Sequence, residues 1–291
     1  MALSRRTFTL LLATTPGIGG KSTTKVIARN ELLNRTPEEF LALSPEAMRE
    51  EYRLTEPAAS TLVTDLESRI KRTFEMEKSL SELGVIWVTA ADAHYPSLVE
   101  EMDPNPPEIL YLYGNTRLLD GKTFCVLSSR NTMPADLNLI EQLAEKGILE
   151  AEILVTGHDR PEYQRSAVVP LRWGSPRILC LDRGFFDVLG PDLKREAFRT
   201  ARLWRYEFDP TTDLVVSAFP PAASFKGINN QVRDRLVGSL SRRIDLVEVS
   251  PNGNMDRIAR MALKCGRKVR VSDRCPYWRQ YAALGAESIS T

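Results

Sequence analysis

The sequence predicts an α/β fold, a Rossmann-like and mostly parallel sheet with flanking helices, preceded by a small all-helical domain. Two observations carry this. From residue 3 to about residue 83 the apolar spacing is helical, and nothing there reads as a strand. Beyond Gly84 the pattern changes to short β-rich runs separated mainly by helical stretches, an alternation that means parallel strands covered by helices. The expected domains are residues 1–84 and 85–291, meeting at a shift in composition and not at a flexible linker.

In the first domain, Thr36-Pro37-Glu38-Glu39 and Ser44-Pro45-Glu46 are helix starts of the cap-then-proline kind, because proline at the first helical position gives up an amide that would be unpaired anyway. Glu56 to Leu83 reads as one long helix closed by Gly84. In the second domain the expected strands are Val85–Thr89, Ile109–Tyr113, Thr123–Leu127, Ile153–Thr156, Arg177–Leu181, Leu214–Ala218, Leu246–Val249 and Lys268–Val271. The expected helices are Asp136–Lys146 before Gly147, Asp192–Arg202, Asn229–Ser241, Met255–Cys265 before Gly266, and Trp278–Leu284 before Gly285.

With 291 residues, 43% hydrophobic and 26% charged, the chain has the composition of an ordinary globular protein, which excludes a disordered or fibrous class. The 39 Lys+Arg and 38 Asp+Glu nearly cancel, so the whole-chain charge does not argue for nucleic acid. Cys125, Cys180, Cys265 and Cys275 form no Cys-x-x-Cys pair, and only His94 and His158 are available, so no metal site is expected. Cys125 and Cys180 sit inside apolar runs, as core thiols of a cytoplasmic protein do. Ser4-Arg5-Arg6-Thr7-Phe8 resembles a twin-arginine export signal. The apolar stretch that follows, Leu10 to Ala13, is too short, and no run approaches the roughly 18 apolar residues of a membrane span.

Several motifs suit phosphate. Thr15-Pro16-Gly17-Ile18-Gly19-Gly20-Lys21-Ser22 ends like a P-loop, but Thr15 stands where that loop needs glycine and no strand precedes it. The same residues better resemble the turn of a helix-hairpin-helix (SAM-like) module, in which the amides of Gly17 and Gly19, with Lys21 beside them, can hold a backbone phosphate. Phe124-Cys125-Val126-Leu127-Ser128-Ser129-Arg130 is a buried strand ending in hydroxyls and a cation, at the place where such sheets bind ligands. Lys226 to Arg274 holds 12 Lys+Arg, including Lys226, Arg233 and Arg235, against 5 Asp+Glu (12 − 5 = +7), which suggests a polyanion partner or a solvated helix face. Within it, Ser250-Pro251-Asn252-Gly253-Asn254 reads as a second phosphate nest at a helix start. Neither histidine comes with a nucleophile or paired carboxylates. His158, in Thr156-Gly157-His158-Asp159 at a strand end, is the one placed to touch a ligand.

The order of motifs is more specific than any one of them. Tyr95-Pro96-x-Leu98, then Pro106-Pro107-x-x-Leu110-Tyr111-x-Tyr113-Gly114-Asn115, then Ser128-Ser129-Arg130, then Arg233-Asp234-Arg235-Leu236-Val237 and Gly253-Asn254-Met255 together resemble the DNA-processing protein DprA (Smf) family over residues 90–286. The chain departs from the family pattern at Ser128, which replaces a glycine, at Asp234, which replaces an asparagine, and at Thr156–Asp159, which stands in place of a glycine-rich loop. These departures mark a divergent member, expected to carry no C-terminal winged-helix domain of the kind many members have, and the resemblance implies a non-enzymatic protein that binds single-stranded DNA without a cofactor. It also implies self-association as a homodimer through the Rossmann-like domain, and loading of a RecA-type recombinase. Ser129, Arg130, Arg233 and Arg235 would then contact phosphates, with Arg130 and Arg235 converging on one face. The alternative is a Rossmann-like protein that binds or processes a nucleotide or phosphoribosyl ligand at the same strand ends.

Overall fold

The computed structural model describes residues 3–90, 92–129 and 133–289. It divides into two compact units, Met1–Tyr95 with Asn105–Leu110, and Pro96–Pro104 with Tyr111–Thr291. Residue 84, where the composition shifts, follows the last helix of the first unit, and that unit continues through the next strand.

The first unit holds helices α1 (Arg5–Thr14), α2 (Gly20–Leu33), α3 (Pro37–Leu41), α4 (Pro45–Tyr52), α5 (Glu56–Val63) and α6 (Leu66–Glu82), then strand β1 (Ile86–Thr89). Local chemistry starts them. Ser4, Ser44 and Thr55 each accept a hydrogen bond from a first-turn amide, and Thr36 with Glu39 makes a reciprocal capping box ahead of Pro37. Phe8, Leu12, Ile18, Val26, Met48 and Leu62 bury a common core. Phe40 stands edge-on to Phe8 and Tyr52 at its centre, with ring centroids 5.5 and 4.8 Å away. The single helix expected over Glu56–Leu83 is two: Thr64 turns extended and Asp65 takes the left-handed conformation (φ 55°), which a short polar side chain tolerates.

The second unit is built on the sheet. After α7 (Ser97–Met102) come β2 (Ile109–Gly114), which begins in the first unit, β3 (Thr123–Leu127), α8 (Pro134–Leu149), β4 (Ile153–Thr156), α9 (Pro161–Ala167), α10 (Val169–Arg172), β5 (Arg177–Leu181) and α11 (Phe185–Leu189). Then follow β6 (Leu214–Ser217), α12 (Asn229–Ser239), β7 (Arg243–Leu246), α13 (Asn254–Lys264), β8 (Lys268–Ser272), α14 (Trp278–Ala283) and β9 (Glu287–Ile289). The strand order is β1-β2-β6-β5-β4-β3-β7-β8-β9. β2 runs antiparallel to β6, whereas the pairs from β6 across to β9 are parallel. From β3 the chain winds outward through β4, β5 and β6 on one side, then returns to β7 on the other, so the strand order reverses between β3 and β7.

Three further expectations are corrected, and one strand was missed. The strand expected at Leu246–Val249 lies earlier, at β7, because Arg243 and Asp245 are buried as an ion pair (2.5 Å) and disguise an internal strand as a polar one. No helix forms over Asp192–Arg202. Glu196 is drawn inside to Arg177 (2.7 Å), the Arg195 guanidinium donates to the carbonyls of Val188 and Asp187, and only a 3₁₀ turn, Thr200–Leu203, remains. Gly147 does not close α8. It sits inside the helix where a Cβ would meet the Phe124 ring at 2.2 Å, so its role is close approach to the sheet. β9 escaped the sequence pattern altogether because it is only three residues long. Cys125 and Cys180 are buried free thiols, as expected, and burial pushes the Cys125 thiol up to about 12.

Candidate phosphate-binding edge

In an open parallel sheet, ligands bind outside the carboxyl ends of the strands where the order reverses, since the two departing loops leave a crevice there. Here that place lies beyond β3 and β7, which pair in register from Phe124 with Arg243 to Leu127 with Leu246. The sequence motif Ser128-Ser129 follows β3, and Ser250 to Asn254 follows β7 and opens α13. The two loops are tied together. The Ser129 amide donates to the Glu248 carbonyl (2.7 Å), the Ser128 hydroxyl to the same oxygen (3.2 Å), and the Ser250 amide to the Ser129 hydroxyl (2.7 Å). Both serines are buried, and their hydroxyls join the two loops, where the sequence suggested that they would face a phosphate. Arg130 lies outside the described residues.

Gly253 caps α13 without a side-chain hydrogen bond, leaving first-turn amides directed along the helix start. A Cβ at Gly253 would fall 3.0 Å from the Ser250 carbonyl oxygen, which is why the turn takes glycine. Asn254 points its amide to Asp234 (2.9 Å) and so fastens α13 to α12. Lys226, on the approach to α12, and Arg257, in the first turn of α13, are exposed and make no ion pair among the described residues. Arg257 was within reach of sequence reasoning as the cation three residues after Asn254.

Arg233 corrects an expectation. Its guanidinium is wholly buried and donates to Asp182 (2.7 Å), to Asp234 (3.0 and 3.1 Å) and to the His158 carbonyl (2.5 Å), so it is an internal strut and not a phosphate contact. Tyr163 also donates to Asp234 (2.7 Å), and the Asn229 amide donates to the Asp182 carbonyl (2.9 Å). Arg235, expected to converge with Arg130, is paired with Asp103 at the end of α7 (2.9 Å). The +7 segment dissolves in the same way. Arg233, Arg235, Arg243, Arg260, Arg267, Lys268, Arg270 and Arg274 all have carboxylate partners, mostly elsewhere in the chain, which leaves Lys226, Arg242, Arg257 and Lys264.

The Thr156–Asp159 loop lies over this network. Thr156 is buried against Ser166 (3.1 Å), and Gly157 passes the Tyr163 ring so closely that a Cβ would come within 2.5 Å. The His158 ring stands beside Phe198 with its Nδ1 buried and without a hydrogen bond, and burial lowers its pKa below the ordinary value. Asp159, with φ 70°, pairs with Arg183 (2.9 Å). His158, Asp159 and Asp182 bring three metal-competent atoms within 4.8 Å of one another. Both Asp182 oxygens already face guanidiniums, Arg183 at 2.8 Å and Arg233 at 2.7 Å, so the charge chemistry is that of a salt-bridge network rather than of a cation site. Asp182 and Tyr163 were missed by sequence reasoning; the only signal was an acid directly after an apolar strand.

In the first unit the turn Thr15–Gly19 joins two helices, with Gly17 at φ 86° against Ala58 and Ile18 buried. A helix precedes it where a P-loop needs a strand, so the P-loop reading fails on fold. Gly17 and Gly19 are exposed; the Lys21 side chain lies outside the described residues. No helix among the described residues is long and apolar enough to cross a membrane.

Helices on a mostly parallel sheet, with a helix starting at the reversal of strand order, define the class of Rossmann-like α/β folds. Within that class, residues 86–158 match the family model described as DNA recombination-mediator protein A. The fold is similar to that of DNA processing protein A (DprA) from Streptococcus pneumoniae, at 17% identity and a TM-score of 0.69, covering 100% of this chain and 96% of that one. It is also similar to DNA processing protein A from Helicobacter pylori, whose structure was described for its single-stranded DNA binding mode. That likeness has 17% identity and a TM-score of 0.54, over 70% of this chain and 91% of that one. A search of the curated proteins found no match. The resemblance to the DprA family read from the motifs therefore holds, by family model in one segment and by fold across the chain.

Proposed function

We propose that the protein is a divergent DprA-type protein that binds single-stranded DNA by its phosphates, along the carboxyl edge of the sheet. The observation that carries this is the coincidence of the strand-order reversal, between β3 and β7, with the hydrogen-bonded Ser129 and Ser250 loops and the uncapped start of α13. Lys226 and Arg257 supply exposed cations, and the family-model match ends at His158 on the same strand-end edge. Backbone amides and flexible cations read charge and not sequence, so no base preference is expected at this edge. Asp182 and Asp234, the acids of the edge, are committed to a buried network with Arg233 and Tyr163, which favours a binding role over catalysis. Self-association as a homodimer and assistance to a RecA-type recombinase in DNA recombination belong to the same reading, as roles the family resemblance implies. Fluorescence anisotropy with an oligothymidine and a matched duplex, across a salt series, tests it. The expected result is tighter binding to the single strand with affinity falling as salt rises. Equal affinities, absence of a salt effect, or binding of mononucleotides alone would overturn it.

A further inference from the structure

The helix expected over Asp192–Arg202 is absent, and the short 3₁₀ turn Thr200–Leu203 at its end sorts side chains in an unusual way. Residues three apart eclipse one another in such a turn. Arg199 and Arg202 therefore share one side, and Thr200 and Leu203 share the next. Each side borders its own depression. The first is a cleft of about 560 Å³ lined by Arg199, Arg202, Arg195 and His158. The second is an open, mainly apolar groove of about 380 Å³ lined by Leu203, Trp204, Leu137, Val168 and Arg172.

The cleft carries surplus positive charge. Arg199 and Arg202 are exposed and unpaired among the described residues, and Arg195 is held by carbonyl oxygens, which leave its charge uncompensated. The two carboxylates of the cleft are already engaged, Glu196 by buried Arg177 (2.7 Å) and Asp187 by Arg183 (3.3 Å). His158 lines the same cleft. In the groove, Leu203 is 82% exposed and Trp204 44%. The Arg172 guanidinium lies 5.1 Å from the Trp204 ring centroid, and Arg165 and Arg172 share the single carboxylate of Glu141. An exposed aromatic and an aliphatic wall, rimmed by cations and one turn from an unneutralised arginine pair, have the complementary chemistry of a nucleotide. Arg199 and Arg202 line the cleft and Thr200 and Leu203 line the groove, so the two depressions flank the same turn.

We infer that the Thr200–Leu203 turn is the divider of a nucleotide subsite for single-stranded DNA, with a phosphate in the Arg199/Arg202 cleft and its base in the Leu203/Trp204 groove. This rests on the single-strand reading given above. The test compares an oligothymidine with an abasic strand of the same length, against the wild-type chain, Trp204→Ala, and Arg199→Ala combined with Arg202→Ala. Circular dichroism and thermal melting check that each variant is folded. Trp204→Ala should weaken oligothymidine binding about tenfold, the order of one lost base stack, and leave abasic binding unchanged. The double arginine variant should weaken both strands and lower the salt slope. If the wild type binds oligothymidine with a salt dependence and all variants match it, the subsite is overturned while the edge reading stands. If the wild type binds neither strand, both fall. If Trp204→Ala instead changes the sedimentation of the free protein and not its DNA affinity, the groove is an interface between copies and the subsite is overturned.

Discussion

Replacing Arg233 by methionine should cost the fold about 3 kcal/mol, the low end of the range for removing one partner of a buried ion pair. The guanidinium is fully buried and spans Asp182, Asp234 and the His158 carbonyl at 2.5 to 3.1 Å, so its loss strands two carboxylates together with a strand-end loop. The low end is set by what remains. Asp234 keeps the Tyr163 hydroxyl at 2.7 Å and the Asn254 amide at 2.9 Å, and Asp182 keeps Arg183 at 2.8 Å. Adding Asp234→Asn to Arg233→Met should recover part of the loss, because one of the two uncompensated charges is then removed. Equilibrium urea unfolding followed by circular dichroism reads this as a lower midpoint with an unchanged slope. A loss below about 1 kcal/mol, within the range of an ordinary surface change, would refute the buried-strut account and return Arg233 to the list of solvent-facing phosphate contacts.

Two further outcomes follow from the same geometry. Lys226→Ala and Arg257→Ala should each lower the salt slope of single-strand binding by about one unit while leaving stability within about 0.5 kcal/mol, and an unchanged slope in both would remove them from the DNA track. His158 has its pKa lowered by burial, so below pH ~6.5 the unfolded chain takes up the proton first. Its contribution to stability is therefore complete above that pH and shrinks as pH falls toward the lowered folded-state value. The wild type should lose more melting temperature between pH 8 and pH ~5.5 than His158→Gln does, and equal losses would show that His158 is not buried neutral.

Elements whose cause is local were legible in the chain. Thr36-Pro37 and Ser44-Pro45 start helices where expected because a cap acts on amides two or three residues away. β3, β4 and β5 appear at the expected residues because strands covered on both faces are continuous apolar runs. The motifs after β3 and β7 were also visible as motifs. What the sequence could not hold is which of its charges remain. Arg235 finds Asp103, Arg243 finds Glu152 and Arg233 finds Asp182, all partners distant in the chain, so a run that counts as strongly cationic becomes largely neutral once folded. The same long-range pairing pulled Glu196 inward and dissolved the helix expected over Asp192–Arg202. Formal charge is additive along a sequence, whereas the field a ligand meets depends on which groups are desolvated and which are paired. Only the winding of the sheet, outward from β3 and back to β7, decides that.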